Sequence, residues 1–259
     1  MRAHLALIPA LFILGACAIP TIDASARYLN FEPSGDLRIT EGGATSGNSM
    51  SDLGLAETDG TVGADVHLKW GMPHLSFSTQ NSSWNGNGIL DAEFSSGGVT
   101  IGANTPVESN LEFGLHTALL TWDFIPGSPE LGIGFGVALL DLQGSFEGVV
   151  PMLGLQRVEF DESLPVPLLG ARAAVALGPI DVAGHIAALS VDIDGDEATI
   201  FDLDIHARYH LLGMSQRGAA HILLGWRQLD LDVDVAGDTE DIDADLTFSG
   251  FYAGLQISF

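Results

Sequence analysis

The residues best suited to chemistry in this chain are carboxylates. Asp192-Ile193-Asp194-Gly195-Asp196-Glu197 puts four acidic side chains into one turn; Asp202 and Asp204 follow on the next segment, and Asp230, Asp232 and Asp234 on the one after. Carboxylates packed this densely must share protons, pair with cations or hold a divalent ion. The Asp-x-Asp-Gly-Asp run opens like a calcium loop, yet Leu203 stands where an EF-hand needs its bidentate Glu, so an EF-hand is excluded. Two readings stay open: calcium or magnesium ordered by Asp192, Asp194, Asp196 and Glu197, or a solvated acidic rim with no ion of its own.

Asp204-x-His206, with His210 on the same face of an extended segment, offers a carboxylate-polarised base. Ser76, Ser78 and Ser190 are candidate nucleophiles. Alternation in any acidic β protein sets some Asp beside some His, and no complete motif of a hydrolase family is present. A non-enzymatic protein is therefore the leading reading, with a protease or lipid-modifying hydrolase using Asp204, His206 and His210 as the alternative.

These groups need strands to position them, and period-two alternation supplies them. In Val62 to Trp70 the even positions are apolar while Asp65, His67 and Lys69 share the other face. Phe201 to Leu211 and Leu229 to Val235 alternate in the same way. Strands are predicted near 25–40, 60–70, 73–83, 109–124, 131–146, 164–178, 180–194, 198–212, 219–235 and 244–259, an even count of ten, with eight as the alternative. Short connections at 71–73, 125–130, 178–179 and 213–217 alternate with long ones at 41–59, 84–108 and 147–163. Parity slips at Leu119-Leu120 and Leu139-Leu140 read as β-bulges, as does Arg227, which falls on the nominally apolar face.

The chain ends on Tyr252-Ala253-Gly254-Leu255-Gln256-Ile257-Ser258-Phe259. Tyr252, Gly254, Ile257 and the terminal Phe259 match the spacing of the C-terminal assembly signal of bacterial outer-membrane barrels, read by barrel-assembly machinery. At the other end Arg2 precedes an apolar stretch, Leu5 to Leu14, too short to cross a bilayer as a helix. It reads as an export signal. Leu14-Gly15-Ala16-Cys17 has the form of a lipobox, giving a signal of residues 1–16, a lipidated Cys17, a linker over 17–24 and a barrel over 25–259. Cleavage after Ala24-Ser25-Ala26 is the alternative. Cys17 is the only cysteine, so no disulfide is expected.

Together these features predict an all-β fold, a transmembrane antiparallel up-and-down barrel in a Gram-negative outer membrane, with apolar faces to lipid and polar faces to the lumen. An exported, lipid-anchored β-sandwich is the competing fold. In the barrel, Asp65, Lys69, Glu112, Arg172, Asp202, Asp204, Arg208, Asp230 and Asp232 form a lumen charge network. It either plugs the interior or lines a narrow, cation-favouring pore. Trp70, Trp122, Phe124, Tyr209, Phe251 and Phe259 would form interfacial girdles. Partners are outer-membrane lipid and lipopolysaccharide, whose bridging cations acidic loops could join. Nucleic acid is excluded, because 34 Asp plus Glu against 9 Lys plus Arg leaves no basic patch for phosphates.

Ser49-Met50-Ser51-Asp52-Leu53-Gly54-Leu55, Ser96-Gly97-Gly98-Val99, the segment from Pro165 to Ala174 and the ending from Asp243 to Gly254 together resemble an uncharacterised family of Gram-negative outer-membrane proteins. That family is named for a Gly-Gly pair in a surface loop. The resemblance covers the chain from about residue 28 and implies a barrel and a location, with no activity to carry over.

Overall fold

In the computed structural model, which describes residues 20–41, 44–96, 99–125, 127–193, 196–214, 218–236 and 240–259, the chain is built almost wholly of strands. These are β1 (Thr21–Glu41), β2 (Ala44–Ser49), β3 (Asp59–Lys69), β4 (Pro73–Ile89), β5 (Phe94–Ser96), β6 (Val99–Ile101) and β7 (Pro106–Ile125). They continue as β8 (Glu130–Val150), β9 (Gly154–Leu177), β10 (Ile180–Ile193), β11 (Asp196–Met214), β12 (Gly218–Ala236) and β13 (Glu240–Ser258). Ten of them, β1, β3, β4 and β7 to β13, follow one another in a single antiparallel sheet, and β1 bonds to both β3 and β13. The sheet is thus a closed ten-stranded barrel, which removes the sandwich and the eight-strand count.

The end carrying the chain terminus has only short turns, the periplasmic pattern. At the other end the strands run further than the sequence predicts. β8 and β9 pair up to Val150↔Gly154, so the expected loop at 147–163 is a tight turn, and the 84–108 loop shrinks to the segment between Ile89 and Pro106.

The reason is a change of solvent partway up the wall. On β4 the outward side chains are Leu75 and Phe77, then Thr79, Asn81, Ser83 and Asn85; the inward ones are His74, Ser76, Ser78 and Gln80, then Trp84. On β13 Ile257, Leu255, Ala253 and Phe251 face out below Ser249, Thr247 and Asp245, while Gln256 and Tyr252 face in below Phe248, Leu246 and Ala244. β1, β8, β11 and β12 switch at the same level. The lower half is a membrane barrel, apolar outside and polar inside. The upper half is an ordinary water-soluble barrel with an apolar core.

This water line corrects three expectations. The parity slips at Leu119-Leu120 and Leu139-Leu140 are not bulges, since pairing with the facing strand runs through both without a break. Arg227 also sits in unbroken register, opposite Asp204 on one side and Gly250 on the other, and it points inward. The shifts of register fall elsewhere, between Asp123 and Ile125 and between His210 and Leu212. Above the line the outward acids stand directly opposite one another, as in Asp232↔Asp245, Asp234↔Asp243 and Asp36↔Asp245. Such pairs repel, and exposure to water makes them tolerable, helped by Arg38, which reaches Asp36 and Asp243 at 3.4 and 3.3 Å.

The upper core is filled. Phe248 stacks between Trp84 and Phe113, with ring centroids 5.2 and 4.5 Å away. Leu29, Phe31, Leu111, Leu229, Leu231 and Leu246 surround the stack and are buried. A lid lies over this core. The β5–β6 hairpin inserts Phe94 against Phe146 at 4.8 Å, and the turn after β2 inserts Met50, Leu53 and Leu55. Ser49 and Asp52 cap that turn reciprocally: Ser49 N and Oγ donate to Asp52 Oδ2 at 3.0 and 2.6 Å, and Asp52 N donates to Ser49 Oγ at 3.1 Å. Asn48 ties the two lid pieces by accepting from Asp91 N and Ala92 N at 2.9 and 3.1 Å.

Backbone meets backbone where Gly54, at φ +72°, lies on Gly86-Asn87-Gly88 of β4, and a Cβ on Gly86 would strike the Gly54 carbonyl. Gly86→Val should therefore unseat the lid at an overpacking cost of about 1–3 kcal/mol. Chymotrypsin added to the folded protein should then cut within residues 50–55, which resist in the wild type; equal resistance in both would contradict this seating.

Candidate functional site

Below the core the lumen opens into a chamber of about 540 Å³ facing the periplasmic end. Beside it Gly132 of β8 leaves space for two polar side chains, since a Cβ there would lie 2.7 Å from Asp123 Oδ1 and 3.2 Å from Arg172 Cγ. Most of the basic groups of this acidic chain are gathered here. Arg27, Lys69, Arg172 and Arg208 line the chamber with six of the eight histidines, and Arg227 is buried in its roof.

Two arginines form the roof. Arg27 donates to Asp204 Oδ2 from Nη1 at 2.7 Å and to Asp65 Oδ1 from Nη2 at 2.5 Å, with the Tyr252 ring 4.9 Å from its guanidinium. Tyr252 Oη donates to Asp204 Oδ1 at 2.8 Å. Arg227 grips Asp202 with two bonds of 2.8 and 2.7 Å and reaches Gln80 Oε1 at 2.7 Å. Arginine suits this place because its planar fork satisfies two carboxylate oxygens at once, which a buried ion pair requires.

Nearer the mouth Glu130 accepts from Lys69 Nζ and Arg172 Nη2, both at 2.5 Å. Arg172 Nη1 lies 2.6 Å from His74 Nδ1, and His74 Nε2 lies 2.7 Å from Asp123 Oδ2. On the wall beside them His67 Nδ1 is 2.8 Å from Ser76 Oγ. At the opening Arg208 and His210 both bond Asp181 Oδ2, at 2.9 and 3.0 Å. His74, Asp123 and Glu130 are the one group of metal-type ligands that converges among the described residues. Arg172 and Lys69 already occupy the cation positions beside it, so its charge is satisfied without a metal.

Of the expected lumen network, Asp65, Lys69, Arg172, Asp202, Asp204 and Arg208 face the chamber. Glu112, Asp230 and Asp232 do not. They lie above the water line on outward positions, because there the apolar neighbours Leu111, Phe113, Leu229 and Leu231 take the inside. Asp204 and His206 do meet, at 3.0 Å, but His210 turns to Asp181, and Asp204 is already held by Arg27 and Tyr252. In the acidic turn, Asp192 pairs with Glu197 through the β10–β11 backbone and Glu197 is exposed; Asp194 lies outside the described residues.

Cys17, residues 1–16 and the Gly97-Gly98 pair also lie outside them. Of the terminal signal, Tyr252 is in the chamber roof, Gly254 leaves space for Arg27 Cγ 3.1 Å from where a Cβ would sit, and Ile257 and Phe259 are exposed on the outer face. Arg27, His74, Asp123, Glu130, Asp181, His185 and Arg227 were not singled out for the network. Arg227 carried a readable signal, being a charge on a face that would otherwise meet lipid.

No protein-family model matches the chain, and no curated protein matches it. Among solved structures it is similar to the outer membrane protease OmpT of Escherichia coli, at 11% identity and a TM-score of 0.59 over 92% of this chain and 97% of that one. A FadL homologue of Pseudomonas aeruginosa aligns at 9% identity and TM-score 0.37, covering 93% of this chain and 90% of that one. Ail, the attachment invasion locus protein of Yersinia pestis, aligns at 7% and 0.30, covering 89% and 98%. The likeness to OmpT concerns the fold, a closed antiparallel β-barrel of the kind found in Gram-negative outer membranes, and the apolar outer band of the lower half agrees with it.

Proposed function

We propose that this protein is a closed, non-conducting outer-membrane barrel whose working surface is the chamber facing the periplasm. The observation that carries this reading is the packed upper lumen, where Leu29, Phe31, Phe113 and Phe248 show no more than 1% exposure beneath a lid built from the same chain. Solute passage would require opening an apolar core, whereas a pore keeps a wet path lined by polar groups. The acidity that suggested a cation-favouring lumen sits largely on the outer face above the membrane, and the chamber's own carboxylates are matched by arginine and lysine.

The test is conductance. Full-length protein, refolded and shown to be inserted by its heat-modifiable mobility, should give no stepwise current in planar bilayers at neutral pH. Steady single-channel openings with cation preference would replace this reading with the narrow pore.

A further inference from the structure

We propose that Ser76 and His67 form a nucleophile–base pair that hydrolyses a carboxylic ester with an apolar acyl group. The substrate's entry from the periplasm rests on the chamber reading above. Ser76 on β4 and His67 on β3 are register partners on the chamber wall, and Ser76 Oγ lies 2.8 Å from His67 Nδ1, within reach for direct proton transfer. With the ring proton on Nε2, Nδ1 accepts the hydroxyl proton. Asp23, the cross-strand neighbour of His67 on β1, adds negative charge on the same face to favour the imidazolium that forms.

The surroundings specify the substrate class. The guanidinium groups nearest Ser76 are already engaged, Arg172 by Glu130 and Arg27 by Asp65 and Asp204, so neither is left to hold a substrate anion. Across the ladder Ser76 faces Leu119, and Leu168 also lines the chamber, so an apolar acyl portion has a wall to lie on. Thr121 pairs with His74 one step from Ser76, is 1% exposed, and its Oγ1 has no hydrogen-bond partner within the described protein. A buried hydroxyl beside a cavity needs a partner, and a bound ester oxygen supplies one. An apolar shelf and a spare donor fit an ester with an apolar acyl group.

In the first step the Ser76 Oγ–H proton passes to His67 Nδ1 while Oγ bonds to the ester carbonyl. The tetrahedral adduct collapses, the alkoxide leaves with the proton from His67, and Ser76 keeps the acyl group. Water then gives a proton to His67 and its hydroxide to the acyl carbon, Ser76 Oγ leaves and regains the proton, and the carboxylic acid departs.

A fluorophosphonate probe applied to the full chain folded in detergent tests the pair directly. The wild type should acquire one adduct, located by mass spectrometry on Ser76. Ser76→Ala and His67→Ala should each lose at least about 100-fold in labelling rate while keeping heat-modifiable mobility. Ser190→Ala, on the outer surface, should label like the wild type. Para-nitrophenyl butyrate should be cleaved faster than the para-nitrophenyl monoester of succinic acid, and the reverse order would overturn the substrate class. A folded wild type with no adduct, or an adduct that survives Ser76→Ala, overturns the proposal. Because labelling in detergent is blind to which end is open and bilayer conductance is blind to Ser76, the two readings fail separately.

Discussion

Arg227→Met should lower the unfolding free energy by about 3–5 kcal/mol, read as a shift of the urea midpoint in detergent, because it strands the Asp202 carboxylate. Arg227 is 1% exposed and is the largest fully buried side chain among the described residues; two of its nitrogens hold both oxygens of Asp202. Removing the cation leaves a charge with no water to replace it, and that penalty exceeds what the pair gains over an apolar filling. The double variant Arg227→Met with Asp202→Val should therefore recover most of the loss, since it removes both charges and leaves an apolar filling of similar volume. A single variant within about 1 kcal/mol of wild type would show that water already reaches the roof.

Phe248→Ala carries the second large effect, again about 3–5 kcal/mol. Phe248 has no exposed surface, and both faces of its ring are covered, by Trp84 and Phe113. β4 and β7, which are not ladder partners of β13, hold those rings from their own ladders and cannot collapse into the space. Phe251, three residues on but facing outward with 76% of its surface exposed, is the matched control. Its truncation should move the urea midpoint far less. Similar losses from both would contradict the division of the wall into a lipid-facing and a water-facing half.

That division explains what could and could not be read beforehand. Val62 to Trp70 and most of Phe201 to Leu211 lie in the membrane half, where apolar means outward and Asp65, Lys69, Asp202 and Asp204 line the chamber. Leu229 to Val235 shows the same alternation but stands in water, where apolar means inward, and Asp230 and Asp232 were turned the wrong way. Nothing in a seven-residue pattern says which solvent it meets. The change is visible only where a strand crosses it, as at Tyr28-Leu29 or Trp226 to Leu229, and there it imitates a bulge. The chamber's partnerships were hidden for a different reason. Arg27 and Asp204 are 177 positions apart and meet only because the barrel closes between β1 and β13. Ten alternating strands and an aromatic terminus announced closure, but pairing across the lumen depends on shear and register that alternation does not encode.

The inverted wall also sets a condition on how the molecule reaches its place. Hairpins delivered from the periplasm must send their upper halves outward first, with Asp230, Asp232, Asp234, Asp243 and Asp245 on the outer side. Bare hydrocarbon would oppose each aspartate by about 2.5–3.5 kcal/mol at the bilayer centre. Strand-by-strand insertion through undisturbed lipid is therefore closed to this chain. Its acidic crown has to pass through a wet or protein-walled opening, and the same charges that make passage costly then keep the finished barrel from slipping back.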